Sequence, residues 1–523
     1  MKRRTLMQGA AALLARPAIA QDMRARTLRY VPSSSLGALD PIWTTATITG
    51  LHGAYVFDTL YAAGSDLQPK PQMAEGHEVS ADGRTWRIRL REGLMFHDGT
   101  PVRSNDCIAS LKRWGAREPY GQLLLKVVDS WNAVDDRTFE IRLTRPFPPL
   151  LDALGKPDTS YSFIMPERLA LTDPAKTVTE MVGSGPYRFV ASEYNAGSKV
   201  VYEKFAGYRP RPEAPEWATG GKVAHFQRVE WLIIPDPATA NAALINGEVD
   251  WWDSPLNDLQ PMLMKNRNIT LAVADPAGTL AMMRLNCLQP PFDDVRLRQA
   301  VRLAVQQDSY MRASQGDDQS LWTECRSLWP KHTPYYADAG DAVMPGSIEK
   351  AHAALAAAGY ANQKTVVLSA TDVPIHNAFG LVTEDTLRRM GMNVDLQQSD
   401  YGTVVQRRNN RESVDKGGWS IFHTTGLAVG LGTPAITYVQ RGQGASGWYG
   451  WWNSKSAEDL VQAWLEAPDR TGQAKAAEAL GRLSLDEAGT VPLGQYFRRT
   501  AYSKRITGVL QGPMSYPWNV RPA

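Results

Sequence analysis

Cysteine is scarce in this chain of 523 residues, and its three copies are too few for a disulfide framework. No run of 18 apolar residues occurs, so a membrane-spanning helix is not expected. The net charge of +3 without a stripe of lysine or arginine argues against nucleic acid as a partner. The eight histidines lack metal-ligand spacing, and neither a G-x-S-x-G elbow nor a P-loop is present. We therefore predict no catalytic residues, no metal site and no cofactor.

Basic and apolar residues at the beginning of the chain form an export-signal pattern. Residues 1–20, MKRRTLMQGAAALLARPAIA, run from a basic start through a short apolar stretch to an A-x-A cleavage pattern. The pair Arg3-Arg4 resembles a twin-arginine signal, so export before and after folding both stay open. Four basic residues lie in this segment, and without them the charge of +3 becomes −1. No cysteine lies near the cleavage pattern, so we expect a periplasmic chain without a lipid anchor.

Strand and helix patterns alternate through the rest of the chain, which predicts an α/β protein. Residues 84–91 and 137–143 alternate strictly and each follow an Asp-containing turn, which predicts two hairpins in an antiparallel lobe over about 70–180. Residues 228–252 predict a βαβ unit whose helix is capped by Asp236 and stopped by Gly247. Further helices and strands predict a second α/β lobe through about 490. The last run, VPLGQYFRRTAY, is expected to return to the first lobe.

One stretch, FHDGTPVRSNDCIASLKRW at residues 96–114, could belong to an enzyme or to a scaffold. A D-G turn pair follows its histidine, Ser104 suits the N-cap of a helix, and Asp106 lies in the first turn, where the helix dipole favours a negative charge. Each polar residue therefore has a local structural task. We predict a strand–turn–helix corner in which His97 is a hydrogen-bonding scaffold residue and Cys107 is buried and inert.

Five segments, including this corner, resemble one protein family. In order and spacing they are similar to family 5 of the bacterial extracellular solute-binding proteins, which holds the dipeptide-, oligopeptide- and nickel-binding components of ABC importers. The similarity covers nearly the whole chain after residue 20. The segments are FDTLYAAGSDLQPKPQMAEGHEVSADGRTWRIRLREGLMFHDGTPVRSNDCIASLKR (57–113), GSGPYRF (183–189), NAALINGEVD (241–250), RLNCLQPPFDDVRLRQAVRLAV (284–305) and SIEKAHAALAAAGY (347–360).

The resemblance implies a periplasmic binding protein-like clamshell of two α/β lobes with a hinge, plus a smaller inserted domain with hairpins. Domain I would comprise 21–60, 180–265 and 490–523, domain II 61–179, and domain III 266–489. A solute that contacts both lobes favours the closed form.

A function follows from this resemblance. We expect a monomeric periplasmic protein, not an enzyme, that captures a peptide-like or other small solute and delivers it to an ABC permease and its ATPase complex at the inner membrane. A clamshell sensor for a membrane receptor, and a secreted hydrolase using His97 or His423, remain as alternatives.

A cleft that holds a small ligand is lined by aromatic side chains and a few polar groups, and this chain has 16 tryptophans. The resemblance implies that ligand contacts come from the segment LDPIWTTAT in domain I and from the tryptophan of GGWSIFHTTG and the loop after it in domain III. The end of the βαβ strand is a further candidate position. The candidates are Trp43, Thr44, Thr45, Trp252, Asn286, Asp372, His376, Trp419, His423 and Thr424.

Two departures from the family bear on the ligand. Peptide-binding members follow the domain III tryptophan with an acidic D-x-x-D-P loop that pairs with the peptide's amino terminus, whereas residues 420–434 contain no acid. Dipeptide binders carry an arginine after the strand matching VVLSA, whereas TDVPIHN offers Asp372 and His376. An uncompensated buried charge is costly. We therefore expect a ligand less charged than a free dipeptide: a capped peptide, an opine-like compound, a glycoside or a metal chelate.

Overall fold

The computed structural model describes residues 24–157, 159–338, 340, 342–371, 373–399 and 401–523; the export-signal segment and Asp372 lie outside them. The helices are α1 (Thr47–Val56), α2 (Ser104–Gly115), α3 (Pro119–Leu125), α4 (Leu150–Leu154), α5 (Glu167–Ala170), α6 (Pro237–Ile245), α7 (Gln260–Met264), α8 (Val295–Ala304), α9 (Gln307–Gln315), α10 (Ile348–Ala357), α11 (Pro374–Arg389), α12 (Tyr401–Arg407), α13 (Lys455–Glu466) and α14 (Arg470–Glu487).

The strands are β1 (Thr27–Val31), β2 (Asp58–Thr59), β3 (Tyr61–Ala63), β4 (Pro69–Pro71), β5 (Ala74–Val79), β6 (Thr85–Leu90), β7 (Val128–Ala133), β8 (Thr138–Leu143), β9 (Phe163–Ile164), β10 (Tyr187–Phe189), β11 (Lys199–Lys204), β12 (Arg228–Leu232), β13 (Trp251–Trp252), β14 (Ile269–Val273), β15 (Thr279–Leu285), β16 (Trp322–Thr323), β17 (Lys364–Ala370), β18 (Asn393–Ser399), β19 (Ile421–Leu427), β20 (Thr490–Tyr496), β21 (Arg499–Ser503), β22 (Ile506–Thr507) and β23 (Arg521–Pro522).

A seven-stranded sheet, in the order β10-β11-β12-β1-β13-β21-β14, forms the core of the first lobe. The predicted βαβ unit is present: α6 connects β12 to β13, and both strands run parallel to β1, which lies between them. The Asp236 carboxylate accepts a hydrogen bond from the Thr239 amide as N-cap, and Gly247 follows the helix with φ of 73°. The cap and the left-handed glycine fix where this helix begins and ends.

A six-stranded sheet, in the order β16-β20-β15-β19-β17-β18, forms the second lobe. Helix α8 buries Leu297, Ala300, Val301 and Ala304 against it, as the helical spacing of these residues predicts. Helix α10 begins after Ser347, whose hydroxyl accepts a hydrogen bond from the Lys350 amide. The predicted second α/β lobe is therefore present.

Two segments of the described chain cross between these sheets. Residues 274–278 lead from β14 to β15, and residues 497–498 lead from β20 back to β21. The Ala274 amide donates to the Arg498 carbonyl at 2.9 Å, so the crossings run side by side. The run VPLGQYFRRTAY is thus split: β20 stays in the second lobe and only β21 returns. The domain boundaries remain a prediction. We propose that the boundaries between the first and second lobes lie at residues 274–278 and 497–498.

The inserted domain contains a four-stranded antiparallel sheet in the order β5-β6-β8-β7, and both predicted hairpins are present. Helix α2 begins at Ser104, so the prediction of Ser104 as N-cap is wrong: Arg103 occupies that position. The Asp106 carboxylate instead accepts the Arg103 amide at 2.7 Å. The hydroxyl of Ser104 donates to the Asp135 carbonyl at 2.6 Å, which joins the corner to the β7–β8 turn.

His52 provides a test of how burial in the first lobe makes stability depend on pH. It lies in α1 with its Nδ1 2.8 Å from the Tyr202 hydroxyl, and burial lowers its pKa from 6.5 to about 3. The unfolded chain takes up a proton near pH 6.5 and the folded chain does not. The resulting stability is therefore fully present above pH 6.5 and is lost as the pH falls towards 3.

We expect His52→Gln to reduce the pH dependence of the free energy of unfolding. Between pH 6 and 4.5 the slope should fall by about 1.4 kcal/mol per pH unit, measured by urea denaturation. His352→Gln is the control, because it removes a histidine exposed on α10. An unchanged slope in the His52 variant would show that its neutral form is not what the fold requires.

Candidate ligand-binding site

A cavity of about 890 Å³ lies between the two lobes and the inserted domain. The first lobe contributes residues 42–47, which lead into α1. The inserted domain contributes 117–119, Lys156, Thr159 and Ser160. The second lobe contributes the end of β19, the loop after it, Tyr401 at the start of α12, Arg408 directly after α12, and Trp448. This volume is in the range of pockets that enclose small organic ligands, ~300–1,000 Å³. A molecule bound there would touch all three parts of the protein.

The segment that carries Trp43 into the cavity is held by a buried ion pair. Asp40 and Arg113 of α2 form two hydrogen bonds, of 3.2 and 2.6 Å, and both side chains are inaccessible to solvent. The Asp40 carboxylate also accepts the amides of Ile42 and Val178. The first lobe and the inserted domain are thus joined directly beside the cavity.

Aromatic rings line the cavity from both lobes. Trp43 is 38 % exposed, and the guanidinium of Arg117 lies 4.7 Å from its ring centroid. In the second lobe the ring of Trp448 packs 4.7 Å from that of Tyr438. Flat apolar faces beside polar groups suit an organic solute with both kinds of surface.

Charged groups give the described part of the cavity wall a positive balance. Lys156 and Glu118 form a buried ion pair of 2.9 Å, and Glu118 also accepts the Gly121 amide at the start of α3. Arg117 and Arg408 have no carboxylate partner among the described residues. Of the described lining residues, three are cations and one is an acid.

Arg408 is held at the cavity by aromatic rings. Its guanidinium carbon lies 4.4 Å from the ring centroid of Tyr449 and 5.8 Å from that of Phe422. Its Nε is buried and has no hydrogen-bond partner. Stacking on rings favours a guanidinium, but a buried N–H without an acceptor costs free energy. The rings therefore fix the position of the guanidinium, while its Nε–H lacks a hydrogen-bond acceptor.

Four of the candidates from the sequence, Trp43, Thr44, Thr45 and Thr424, line the cavity. Their contact with a ligand stays a prediction. Asp372 lies outside the described residues. The other five, Trp252, Asn286, His376, Trp419 and His423, are buried and are not among the cavity-lining residues.

Trp419 and Asn286 support the cavity wall from behind. Trp419 is fully buried, its ring packs 5.0 Å from Phe422, and its Nε1–H donates to the Arg408 carbonyl at 3.2 Å. Asn286 donates to the Trp419 carbonyl at 2.9 Å. A tryptophan that lines a cleft and a tryptophan buried behind it have the same sequence pattern. Because Trp419 and Asn286 lie behind the wall, they are not part of the proposed site.

The remaining three candidates also have structural contacts. The Nε2 of His423 lies 2.8 Å from the Thr383 hydroxyl, and burial lowers the pKa of this histidine to about 3. His376 packs 5.5 Å from the ring of Tyr401, and burial lowers its pKa to about 4. Trp252 lies in a small hydrophobic core beside β1. None of the three is carried into the proposed site.

Sequence reasoning missed Arg117, Arg408, Tyr401 and Trp448. The run RRNNR at 407–411 was an available signal, because Arg407 and Arg408 have no acid next to them in the sequence.

The described ranges bear on metal binding, membrane insertion and thiol reactivity. No set of three or more histidine, cysteine, aspartate or glutamate side chains is placed there to hold a metal ion. The described residues also contain no helix that is long and apolar enough to cross a bilayer. The three cysteines are free, and burial raises the pKa of the Cys107 thiol well above its usual value.

The profile of the "Bacterial extracellular solute-binding proteins, family 5 Middle" matches residues 68–447. The chain belongs to this family. The family prediction is confirmed, and its members are periplasmic or extracellular binding proteins.

Two curated relatives are members with named roles. The "Probable peptide ABC transporter periplasmic-binding protein" of Sinorhizobium fredii is 36% identical over 520 residues, covering 98% of this chain and 96% of the relative. The "Glutathione-binding protein GsiB" of Pectobacterium atrosepticum is 27% identical over 411 residues, covering 75% and 72%.

A solved structure establishes the fold of this family member. The periplasmic binding protein AgaA of Agrobacterium tumefaciens R10, in complex with agropinic acid, superposes with a TM-score of 0.76 at 22% identity. The match covers 95% of this chain and 99% of that one. The predicted periplasmic binding protein-like clamshell is therefore confirmed.

Proposed function

We propose that the protein is the periplasmic substrate-binding component of an ABC importer and that the cavity between its lobes holds the transported solute. The cavity carries the proposal, because a molecule within it contacts the first lobe, the second lobe and the inserted domain together. Such a molecule binds the closed form better than the open form and shifts the population towards it. The two adjacent crossings at 274–278 and 497–498 are where the lobes would rotate.

The relatives support a peptide or a small organic acid as the solute class. One curated relative is named for peptides, another for glutathione, and the solved AgaA structure contains agropinic acid. The protein would deliver its solute unchanged to a permease and its ATPase complex. It would act as a monomer, free in the periplasm after removal of residues 1–20, and not as an enzyme.

Two measurements test this function. Native mass spectrometry of protein purified without denaturation should show one chain with a retained solute. After removal of the solute and its return, X-ray scattering should show a smaller radius of gyration. A chemically altered solute would contradict the proposal. So would the absence of any retained mass combined with no thermal stabilisation by peptides, opines, glycosides or metal chelates.

Trp43→Ala is expected to weaken binding of the retained solute about tenfold, measured by calorimetry, because the exposed ring supplies contact area in the cavity. Trp131→Ala is the matched control: this half-buried tryptophan lies on β7, away from the cavity-lining residues. Equal affinities for wild type and the Trp43 variant would place the solute elsewhere.

A further inference from the structure

We propose that the solute is an organic acid of net negative charge whose carboxylate pairs with Arg408, and that it carries no free ammonium group. This inference rests on the proposed function and specifies the chemical class of its ligand. Arg408 and Arg117 carry it: both are in the cavity wall, and neither has a carboxylate partner among the described residues.

Arg408 has the features of an anion anchor. The rings of Tyr449 and Phe422 hold its guanidinium in place, and its Nε is buried without an acceptor. A guanidinium presents a planar pair of donors that matches the two oxygens of a carboxylate. A carboxylate from the solute would therefore balance the charge of Arg408, for which the described residues supply no carboxylate.

Arg117 adds a second cation from a different part of the molecule. It extends from the turn between α2 and α3 of the inserted domain and lies over Trp43 of the first lobe. Its Nη1 donates to the Pro174 carbonyl at 3.2 Å, which leaves the charge itself unbalanced. An anion placed between Arg117 and Arg408 would be attracted from both sides of the cleft, which favours closure.

The described part of this wall has no unengaged carboxylate to pair with an ammonium group. Glu118, the one carboxylate among the described lining residues, is already engaged by Lys156 and by the Gly121 amide. The acid-free segment 420–434 agrees with this arrangement. The sequence-based expectation of a less charged ligand is therefore sharpened: capped peptides and opine-like acids fit, whereas neutral glycosides and zwitterionic dipeptides do not.

Probe sets that differ only in charge test the inference by thermal shift. One set is N-acetyl-Ala-Ala, its C-terminal amide and free Ala-Ala; a second is gluconate and glucose. The anionic member of at least one set should raise the melting temperature, and its uncharged or zwitterionic counterpart should not. Stronger stabilisation by a neutral or zwitterionic probe would overturn the inference but leave the function intact. No stabilisation by any probe and no retained solute would count against both.

Variants locate the anion at Arg408. Arg408→Gln should weaken the effective probe, or the retained solute, about tenfold to a hundredfold, as for loss of a charged hydrogen bond. Arg411→Gln is the matched control, because Arg411 also lies over a ring, that of Trp451 at 5.2 Å, but does not line the cavity. Equal affinities of the two variants would overturn the assignment.

A measurement without ligand gives a second, independent test. Arg408→Met keeps the length of the side chain and removes its unpaired charge, so the melting temperature of the solute-free protein should stay equal or rise. Arg407→Met should lower it, because Arg407 donates to the carbonyls of Gly417 and Gly418. A decrease in the Arg408 variant as large as in the Arg407 variant would identify Arg408 as a structural residue and overturn the inference.

Discussion

Replacement of Asp40 by alanine is expected to lower the free energy of unfolding by about 3–5 kcal/mol, because it leaves a buried arginine without its counter-ion. Arg113 is 3 % exposed and would lose its two hydrogen bonds to the carboxylate. The amides of Ile42 and Val178 would lose their acceptor as well. Urea denaturation at pH 7 measures the effect.

The same substitution should weaken solute binding, since Asp40 holds the segment that carries Trp43 into the cavity. The control is Asp66→Ala, which removes a half-exposed partner of Lys70 and should cost less than about 1 kcal/mol. The double variant Asp40→Leu with Arg113→Met removes both charges and should be more stable than Asp40→Ala. A loss below about 1 kcal/mol in the single variant would mean that water reaches this pair.

Local sequence patterns predicted the elements of this fold better than the way they assemble. The β5–β6 and β7–β8 hairpins are encoded by strict alternation next to Asp-containing turns, within about 20 residues each. The run VPLGQYFRRTAY shows one continuous strand pattern, yet the chain leaves one sheet and enters the other at residues 497–498. The same alternation of apolar residues fits a strand in either sheet. The sheet that each part of the run joins therefore depends on segments far away in the sequence.

The site was harder to predict for a related physical reason. Trp43 and Trp419 are both tryptophans next to small polar residues, but one ring is partly exposed in the cavity and the other is fully buried behind it. Burial is decided by packing that a single sequence does not reveal. Arg117 and Arg408 lie almost 300 residues apart, and only the assembled lobes bring both into one cavity.

Substitution of Gly183 by alanine is expected to destabilise the protein by about 1–3 kcal/mol, because a methyl group there overlaps backbone that cannot move freely. A Cβ on Gly183 would collide with the Val56 carbonyl oxygen and reach 2.7 Å from the Phe57 ring. At Gly185 the added carbon would lie 2.6 Å from the Tyr55 carbonyl oxygen. The glycine-rich return GSGPY thus passes directly over the end of α1.

His97 links the return segment GSGPY to the corner at residues 96–114. Its Nε2 lies 3.0 Å from the Gly185 carbonyl, its Nδ1 can accept the Gly183 amide at 3.4 Å, and burial lowers its pKa to about 4. A neutral ring that donates on one side and accepts on the other joins the inserted domain to the first lobe. It has no nucleophile among these partners, which agrees with a scaffold residue.

The comparison that isolates this packing is Gly183→Ala against Gly76→Ala, both measured by urea denaturation. Gly76 lies on β5 with no heavy atom within 4 Å of an added Cβ, so its substitution should change the free energy of unfolding by less than about 0.5 kcal/mol. If both alanines prove equally harmless, α1 and the return segment can separate without cost.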